Sequence, residues 1–280
     1  VTKRVLRGIV RRARQWLDDE PLHETDAAYH RLKEAFRSIV ADKLAATRAE
    51  YAWGVASGAQ LAQALAMPRI SVVEFGVAGG NGLLALERVA TLAERAFGLS
   101  IDVYGFDTGT GLPKSTDYRD VPNLYRQGEY AMDVGALRKR LTKARLVLGS
   151  VQDTIGPFLG SRPAPLAFMA IDVDLYSSTV AALKVLEASH DLLLPRIHSY
   201  FDDVLGFTFS DYTGERLAIS EFNAAHPMRK ISPIYGLKYY VPAKHFTARW
   251  VDKFFLAHVF DHALYGQEDG FSRYSLDLSP

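Results

Sequence analysis

Ile70-Ser-Val-Val-Glu-Phe-Gly-Val-Ala-Gly-Gly-Asn-Gly82 decides the fold. Ile70 to Phe75 is a short apolar run that ends in glycines, the pattern of a buried strand. A helical stretch follows from Leu83 to Phe97. The alternation then repeats: Ile101 to Phe106, Arg145 to Leu148, Leu166 to Ile171 and Ile197 to Phe201 read as further strands, with helical stretches between them, notably Ser178 to Leu193. Strands alternating with helices predict parallel βαβ units and a sheet covered on both faces. After the fifth strand come a helix, Glu215 to Ala225, and two β-like stretches, Arg229 to Ile234 and Leu237 to Val241, joined at Tyr235-Gly236. These predict an antiparallel hairpin at the sheet edge. The expected fold is α/β, a doubly wound, mostly parallel seven-stranded sheet.

Upstream of Ile70 the chain reads as helical. One stretch starts at Thr25 as a cap and carries Tyr29, Leu32, Phe36, Ile39, Val40 and Leu44; another covers Tyr51 to Leu65. In the first twenty residues, Lys3, Arg4, Arg7, Arg11, Arg12 and Arg14 alternate with Val5, Leu6, Ile9, Val10, Trp16 and Leu17. On a helix these separate into a basic and an apolar side, suited to packing on protein or, in another reading, to a membrane surface or nucleic acid. The expected organisation is a helical N-terminal extension (1–69), a ligand-binding core (70–242) and a C-terminal helical segment (243–280). Trp250, Phe254, Phe255 and Phe260 make that last segment too apolar for an exposed tail, so it is expected to cover the site or to form the contact of a homo-oligomer, such as a dimer.

Composition narrows the function. With 280 residues, 48% hydrophobic and 23% charged, the chain has the make-up of a globular protein rather than a disordered one. Thirty-three basic against 32 acidic residues exclude a dedicated nucleic-acid binder. The absence of cysteine removes disulfides, a thiolate nucleophile and Cys-based zinc sites. No apolar run approaches the ~18 residues of a membrane span. Arginines interrupt the N-terminus where a signal peptide would be apolar, so a cytoplasmic location is expected.

In an open α/β sheet, ligands bind outside the carboxyl ends of the strands. The first strand ends in Glu74-Phe75, followed by a turn poor in side chains and then a helix N-terminus, whose amides face a ligand. Two ligands suit this. Gly80-Asn-Gly82-Leu-Leu-Ala85 fits the dinucleotide string, but it starts inside what should be the first helical turn. S-adenosylmethionine sites use an acid at the strand end plus small residues, with no pyrophosphate to cradle; Glu74, Gly76, Val77, Ala78, Gly80 and Gly82 are the candidate contacts. Asp107, with Thr108 beside it, ends the second strand, where a carboxylate accepts both ribose hydroxyls. After the third strand, Ser150 and Gln152 are candidates for an adenine edge, and Asp153-Thr154 reads as a helix cap. The loop from Thr108 to Gly128, with Lys114, Tyr118, Arg119, Tyr125 and Arg126, is long for such a connection and reads either as a lid or as a disordered insertion.

The fourth strand leads into Asp172-Val-Asp174-Leu-Tyr-Ser-Ser-Thr179 and the fifth into Asp202-Asp203. Adjacent parallel strands bring these carboxylates together, and like charges in one cleft repel unless a cation neutralises them. Oxygen ligands without cysteine predict a hard cation, most naturally Mg²⁺. Asp174 alone reads as a helix or turn cap.

Glu74-Phe-Gly-Val77, Gly105-Phe-Asp-Thr-Gly-Thr-Gly-Leu-Pro113, Asp153-Thr154, Asp172 to Thr179, Asp202-Asp203 and Gly214 to Phe222 together resemble the successive motifs of the macrocin O-methyltransferase family. These are class I S-adenosylmethionine-dependent enzymes that methylate sugar hydroxyls of macrolide natural products. The resemblance runs from about Ile70 to Val241. It implies a Rossmann-like class I methyltransferase fold, S-adenosylmethionine as cofactor, Mg²⁺ on Asp172, Asp202 and Asp203, and a small hydroxylated acceptor. The family's Gly-Gly before the fifth strand is absent, and Ala78-Gly79 replaces its bulky pair. Asp172, between metal and cofactor, is the candidate proton acceptor; Leu175 stands where small catechol-type enzymes carry a lysine. His245 is a second catalytic candidate, whereas His198 reads as a core residue. Two other readings stay open: a metal-free methyltransferase of the same fold with another acceptor, and an NAD(P)-dependent oxidoreductase. The Tyr-x-x-x-Lys string that the oxidoreductase needs occurs at Tyr29 to Lys33 and Tyr240 to Lys244, both badly placed for it.

Overall fold

A computed structural model describes residues 27–206 and 209–267. Among them, seven strands form one sheet: β1 (Arg69–Phe75), β2 (Ser100–Asp107), β3 (Arg145–Leu148), β4 (Leu166–Ile171), β5 (Leu193–Phe201), β6 (Arg229–Pro233) and β7 (Phe254–Val259). Their order is β3-β2-β1-β4-β5-β7-β6. The first five run parallel, and β7 lies antiparallel between β5 and β6. This is the doubly wound, Rossmann-like sheet of the class I methyltransferase fold. Sequence and position agree strand by strand. Every residue of β4, and every residue of β1 beyond Arg69, is buried, as continuous apolar strands must be when helices cover both faces. The edge strand β3 is half-buried.

Helices fill both layers: α1 (Ala27–Ile39), α2 (Ala49–Ala64), α3 (Asn81–Phe97), α4 (Val134–Arg140), α5 (Val151–Gly160), α6 (Tyr176–Leu183) and α7 (Gly214–Ala225). α2 is rich in alanine and glycine and buried almost all round. A Cβ on Gly54 would overlap the Phe168 ring, so the helix lies close against β4. The described part of the N-terminal extension is thus a layer of the fold. Phe36 of α1 packs edge-on against Trp53 of α2, with ring centres 5.3 Å apart, and also meets Trp250 from the C-terminal segment.

Three expectations are corrected. Leu237 to Val241 is not a strand: Gly236 turns the chain with φ +80°, Leu237–Tyr239 forms a 3-10 turn, and the Tyr240 carbonyl accepts a hydrogen bond from Tyr29 instead of a ladder partner. The true partner of β6 is Phe254–Val259, with Ile231 opposite Ala257. The segment expected to be helical therefore carries the last strand, and its apolar residues Trp250, Phe254 and Phe255 are buried in the chain's own core. The stretch Ser178 to Leu193 is also shorter as a helix: α6 ends at Leu183, two 3-10 turns follow, and β5 already begins at Leu193. The basic segment over the first twenty residues and the Thr25 cap lie outside the described residues. Among the described residues, no helix is long and apolar enough to cross a membrane.

Candidate active site at the strand switch point

The strand order reverses between β1 and β4, where an open α/β sheet leaves its crevice. Backbone bonds stitch the strand ends there: Asp172 N donates to Phe75 O, and Gly76 N to Phe106 O, each at 2.9 Å. Gly76 has φ +87°, and a Cβ on it would overlap the Asp172 carbonyl oxygen, so no side chain fits where β1 and β4 converge. Above them opens a cavity of about 860 Å³. Every residue proposed from sequence for cofactor or metal lines it: Glu74, Gly76, Val77, Ala78, Gly80, Gly82, Asp107, Thr108, Ser150, Gln152, Asp172, Asp202 and Asp203. Seven carboxylates and two cationic side chains, Arg48 and Lys114, face this space.

One wall is built from the turn after β1. The Glu74 side chain is buried; Tyr51 Oη donates to its Oε1 at 2.7 Å, and its Oε2 has no partner among the described residues. Burial, with Asp172 nearby, pushes the Glu74 carboxyl up to about 8. A Cβ on Gly82 would overlap Glu74 Oε1, so the first turn of α3 closes directly over this acid. Asp107 Oδ2 accepts the amides of Val77 and Ala78, both at 2.9 Å, and Oδ1 accepts Gly109 N at 2.6 Å. A carboxylate offers about four lone-pair directions. Asp107 therefore shapes the turn and keeps one direction for a ligand hydroxyl, which corrects the expectation that it accepts both hydroxyls of a ribose. Ser150 is itself the cap of α5, its Oγ accepting from Asp153 N and donating to Asp153 Oδ2; this corrects the reading of Asp153-Thr154 as the cap.

The facing wall is acidic. Burial first, then Asp202 and Asp203, raise the Asp172 carboxyl to about 7. Burial and Asp203 raise Asp174 to about 8, and burial and Asp202 raise Asp203 to about 6. Glu215 of α7, fully buried, accepts Asp203 N at 2.8 Å on Oε2 while its Oε1 has no described partner. Asp202 differs. Burial works against its charge, yet Tyr200 Oη at 2.7 Å and Lys253 Nζ at 2.9 Å both donate to Oδ1 and hold its carboxyl below the usual range.

Asp174 is not a helix cap. It takes φ +60° and lines the cavity, whereas the first turn of α6 is capped from afar by buried Asp120, which accepts Ser177 N at 2.8 Å. Asp120 belongs to the long loop after β2. Arg119 beside it lies over the Tyr176 ring at 4.2 Å, and Tyr125 Oη donates to Asp203 Oδ1 at 3.2 Å. The loop is thus fastened over the acidic wall.

His245 does not reach the cavity. Its ring packs against Phe36 and Trp250, with centres 5.3 and 5.7 Å away, and burial pushes its pKa down. His198 sits within β5 opposite Phe168, as the core reading has it. Sequence reasoning missed Arg48 and Lys253, which come from outside the strand-end segments, and placed Glu215 only within a motif. For Arg48, the signal lay in a lone cation at the start of an alanine-rich, buried helix.

The donors suit a sulfonium amino-acid ligand: a buried carboxyl oxygen of Glu74 without partner, and a turn with no room for side chains. They suit a hard cation in chemistry and charge, since Asp203 Oδ2 is buried without a partner among the described residues, beside three other acids. The carboxylates are not drawn into a closed shell: among the described residues, no three His, Cys, Asp or Glu groups stand in a metal-holding arrangement, and Asp202 is engaged by Lys253.

No protein-family model and no curated protein matches the chain. Solved structures do resemble it. The calicheamicin methyltransferase CalS11 is 22% identical, over 78% of this chain and 90% of that one, with a TM-score of 0.49. The O-methyltransferase NovP is 20% identical over 60% and 69%, with a TM-score of 0.45. An O-methyltransferase from Bacillus cereus, in complex with SAH, is 18% identical over 88% and 96%, with a TM-score of 0.39.

Proposed function

We propose that the chain is an S-adenosylmethionine-dependent O-methyltransferase acting on a hydroxyl of a small, neutral or cationic molecule, such as a sugar or other hydroxylated natural product. The observation that carries this reading is the charge of the cavity. Seven carboxyl groups face two cations, and those whose pKa burial has raised, Glu74, Asp172, Asp174 and Asp203, ionise more readily beside a bound cation, which favours a sulfonium cofactor and offers little to a dinucleotide pyrophosphate. The oxidoreductase reading loses further support, because Tyr29, Lys33, Tyr240 and Lys244 all lie away from the cavity lining.

In-line transfer needs the acceptor oxygen about 3–3.5 Å from the methyl carbon. Glu74, the turn from Gly76 to Gly82 and Asp107 hold the cofactor from one side. Asp172 stands at the junction of the two walls, and its carboxyl, raised to about 7 in the metal-free protein, is suited there to take the hydroxyl proton. Asp172, Asp202 and Asp203 would hold Mg²⁺ once drawn together, with Asp202 released from Lys253, and the ion would then lower the pKa of the acceptor hydroxyl. Lys253 already neutralises part of this wall through Asp202. The test is transfer of a labelled methyl group from S-adenosylmethionine to hydroxylated acceptors, with and without exhaustive chelation. Labelled ether that disappears on chelation, and an Asp202→Asn variant that binds cofactor but turns over poorly, are the expected results. Full activity after chelation would leave the metal-free methyltransferase, with Asp172 as base.

A further inference from the structure

We propose that Arg48, from the N-terminal helical layer, binds the carboxylate of the cofactor's methionine moiety and so selects for the whole amino-acid end of the cofactor. The assignment rests on the S-adenosylmethionine reading above. Arg48 precedes α2 and lines the cavity beside Glu74 and Asp172. Its guanidinium lies 5.6 Å from the centre of the Tyr51 ring, and Tyr51 in turn is hydrogen-bonded to Glu74. Its ion pair with Glu50 is 3.6 Å long, longer than a charge-assisted hydrogen bond. The fork of donors is therefore held in place by a ring and not consumed by a bidentate partner. Of the two cations on this cavity, Lys114 is exposed on the loop, whereas Arg48 is half-buried on the floor.

Topology gives the direction of the ligand. The ribose and adenine candidates, Asp107, Ser150 and Gln152, lie at the ends of β2 and β3. The sheet order β3-β2-β1-β4 then leads toward Glu74 and Asp172, where the amino-acid end must lie. That end is a zwitterion. The partnerless Glu74 Oε2, fully buried, is suited to the ammonium, but a free carboxylate among so many acids would be repelled everywhere except beside a fixed cation. Arg48 is that cation, and its planar fork fits a carboxylate.

Calorimetric titration of two ligands tests this: S-adenosylhomocysteine, and 5′-methylthioadenosine, which lacks the amino-acid group. The wild-type protein should bind the first more tightly. Arg48→Met should weaken S-adenosylhomocysteine by about 10- to 100-fold and change 5′-methylthioadenosine by less than about 2-fold, which also shows that the variant is folded. Arg48→Lys should restore part of the loss. An Arg48→Met protein that keeps the wild-type preference, or that weakens both ligands equally, would overturn the assignment. A wild-type protein that binds neither ligand would instead overturn the cofactor reading beneath it.

Discussion

Tyr51 Oη donates a 2.7 Å hydrogen bond to Glu74 Oε1, joining the N-terminal helical layer to the end of the first strand. Both residues are buried, and the bond leaves Glu74 with one satisfied oxygen and one buried without a partner among the described residues. Tyr51→Phe keeps the ring and its packing on Phe168 but removes this donor. It should cost about 1–2 kcal/mol in urea unfolding, the scale of a buried acceptor left without partner. Unchanged stability would mean that Glu74 finds another donor.

Glu74 contributes a defined part of the pH dependence of the ligand-free protein. Its folded-state pKa is raised from an ordinary value near 4.5 to about 8. The native state then binds the proton more tightly than the unfolded chain, so this group's contribution is fully present below about pH 4.5 and is lost as the pH climbs toward 8. Wild type should lose stability over that window relative to Glu74→Gln. Parallel stability curves for the two proteins would refute the shift.

Glu87 of α3 behaves in the opposite sense. Burial raises its carboxyl, but the amides of Thr142, Lys143 and Ala144 and the Thr142 hydroxyl all donate to it and bring it below the ordinary value. A depressed pKa gives stability that is present above the unfolded value and lost as pH falls through the folded one. Glu87→Gln should destabilise the protein by about 2 kcal/mol at neutral pH and by less below pH ~4. A Glu87→Gln protein equally destabilised at both pH values would show that charge is not involved.

Asp107→Asn should weaken S-adenosylhomocysteine by about 1.5–3 kcal/mol. An amide has one acceptor oxygen where the carboxylate has two, so it cannot hold the amides of Val77, Ala78 and Gly109 together. Faster exchange of those amides should accompany the loss. Unchanged affinity would remove Asp107 from the site.

The parallel strands were legible because strands covered by helices are continuous apolar runs, and the strand-end rule then pointed to the cavity that Glu74, Asp107 and Asp172 line. The last strand was not legible. Phe254-Phe-Leu-Ala-His-Val259 is separated from β6 by twenty residues of turns, and Leu237 to Val241 mimics a strand locally while Tyr29 captures its backbone. Arg48 and Lys253 were invisible for a related reason: Arg48 lines the cavity and Lys253 pairs with Asp202 at its edge, each from an element with no strand-end motif, and only tertiary packing brings them there. Asp174 misled through its position before a helix, a place where an acid usually caps; here Asp120, far away in sequence, does so.

The central claim is that this acidic crevice takes a sulfonium cofactor. Its most direct test is a calorimetric titration of the ligand-free protein with S-adenosylmethionine and, separately, with NADPH. Saturable binding of S-adenosylmethionine at one site, abolished by a bulky side chain at Gly82 and accompanied by no binding of NADPH, is the predicted result. Binding of NADPH in preference to S-adenosylmethionine would contradict it.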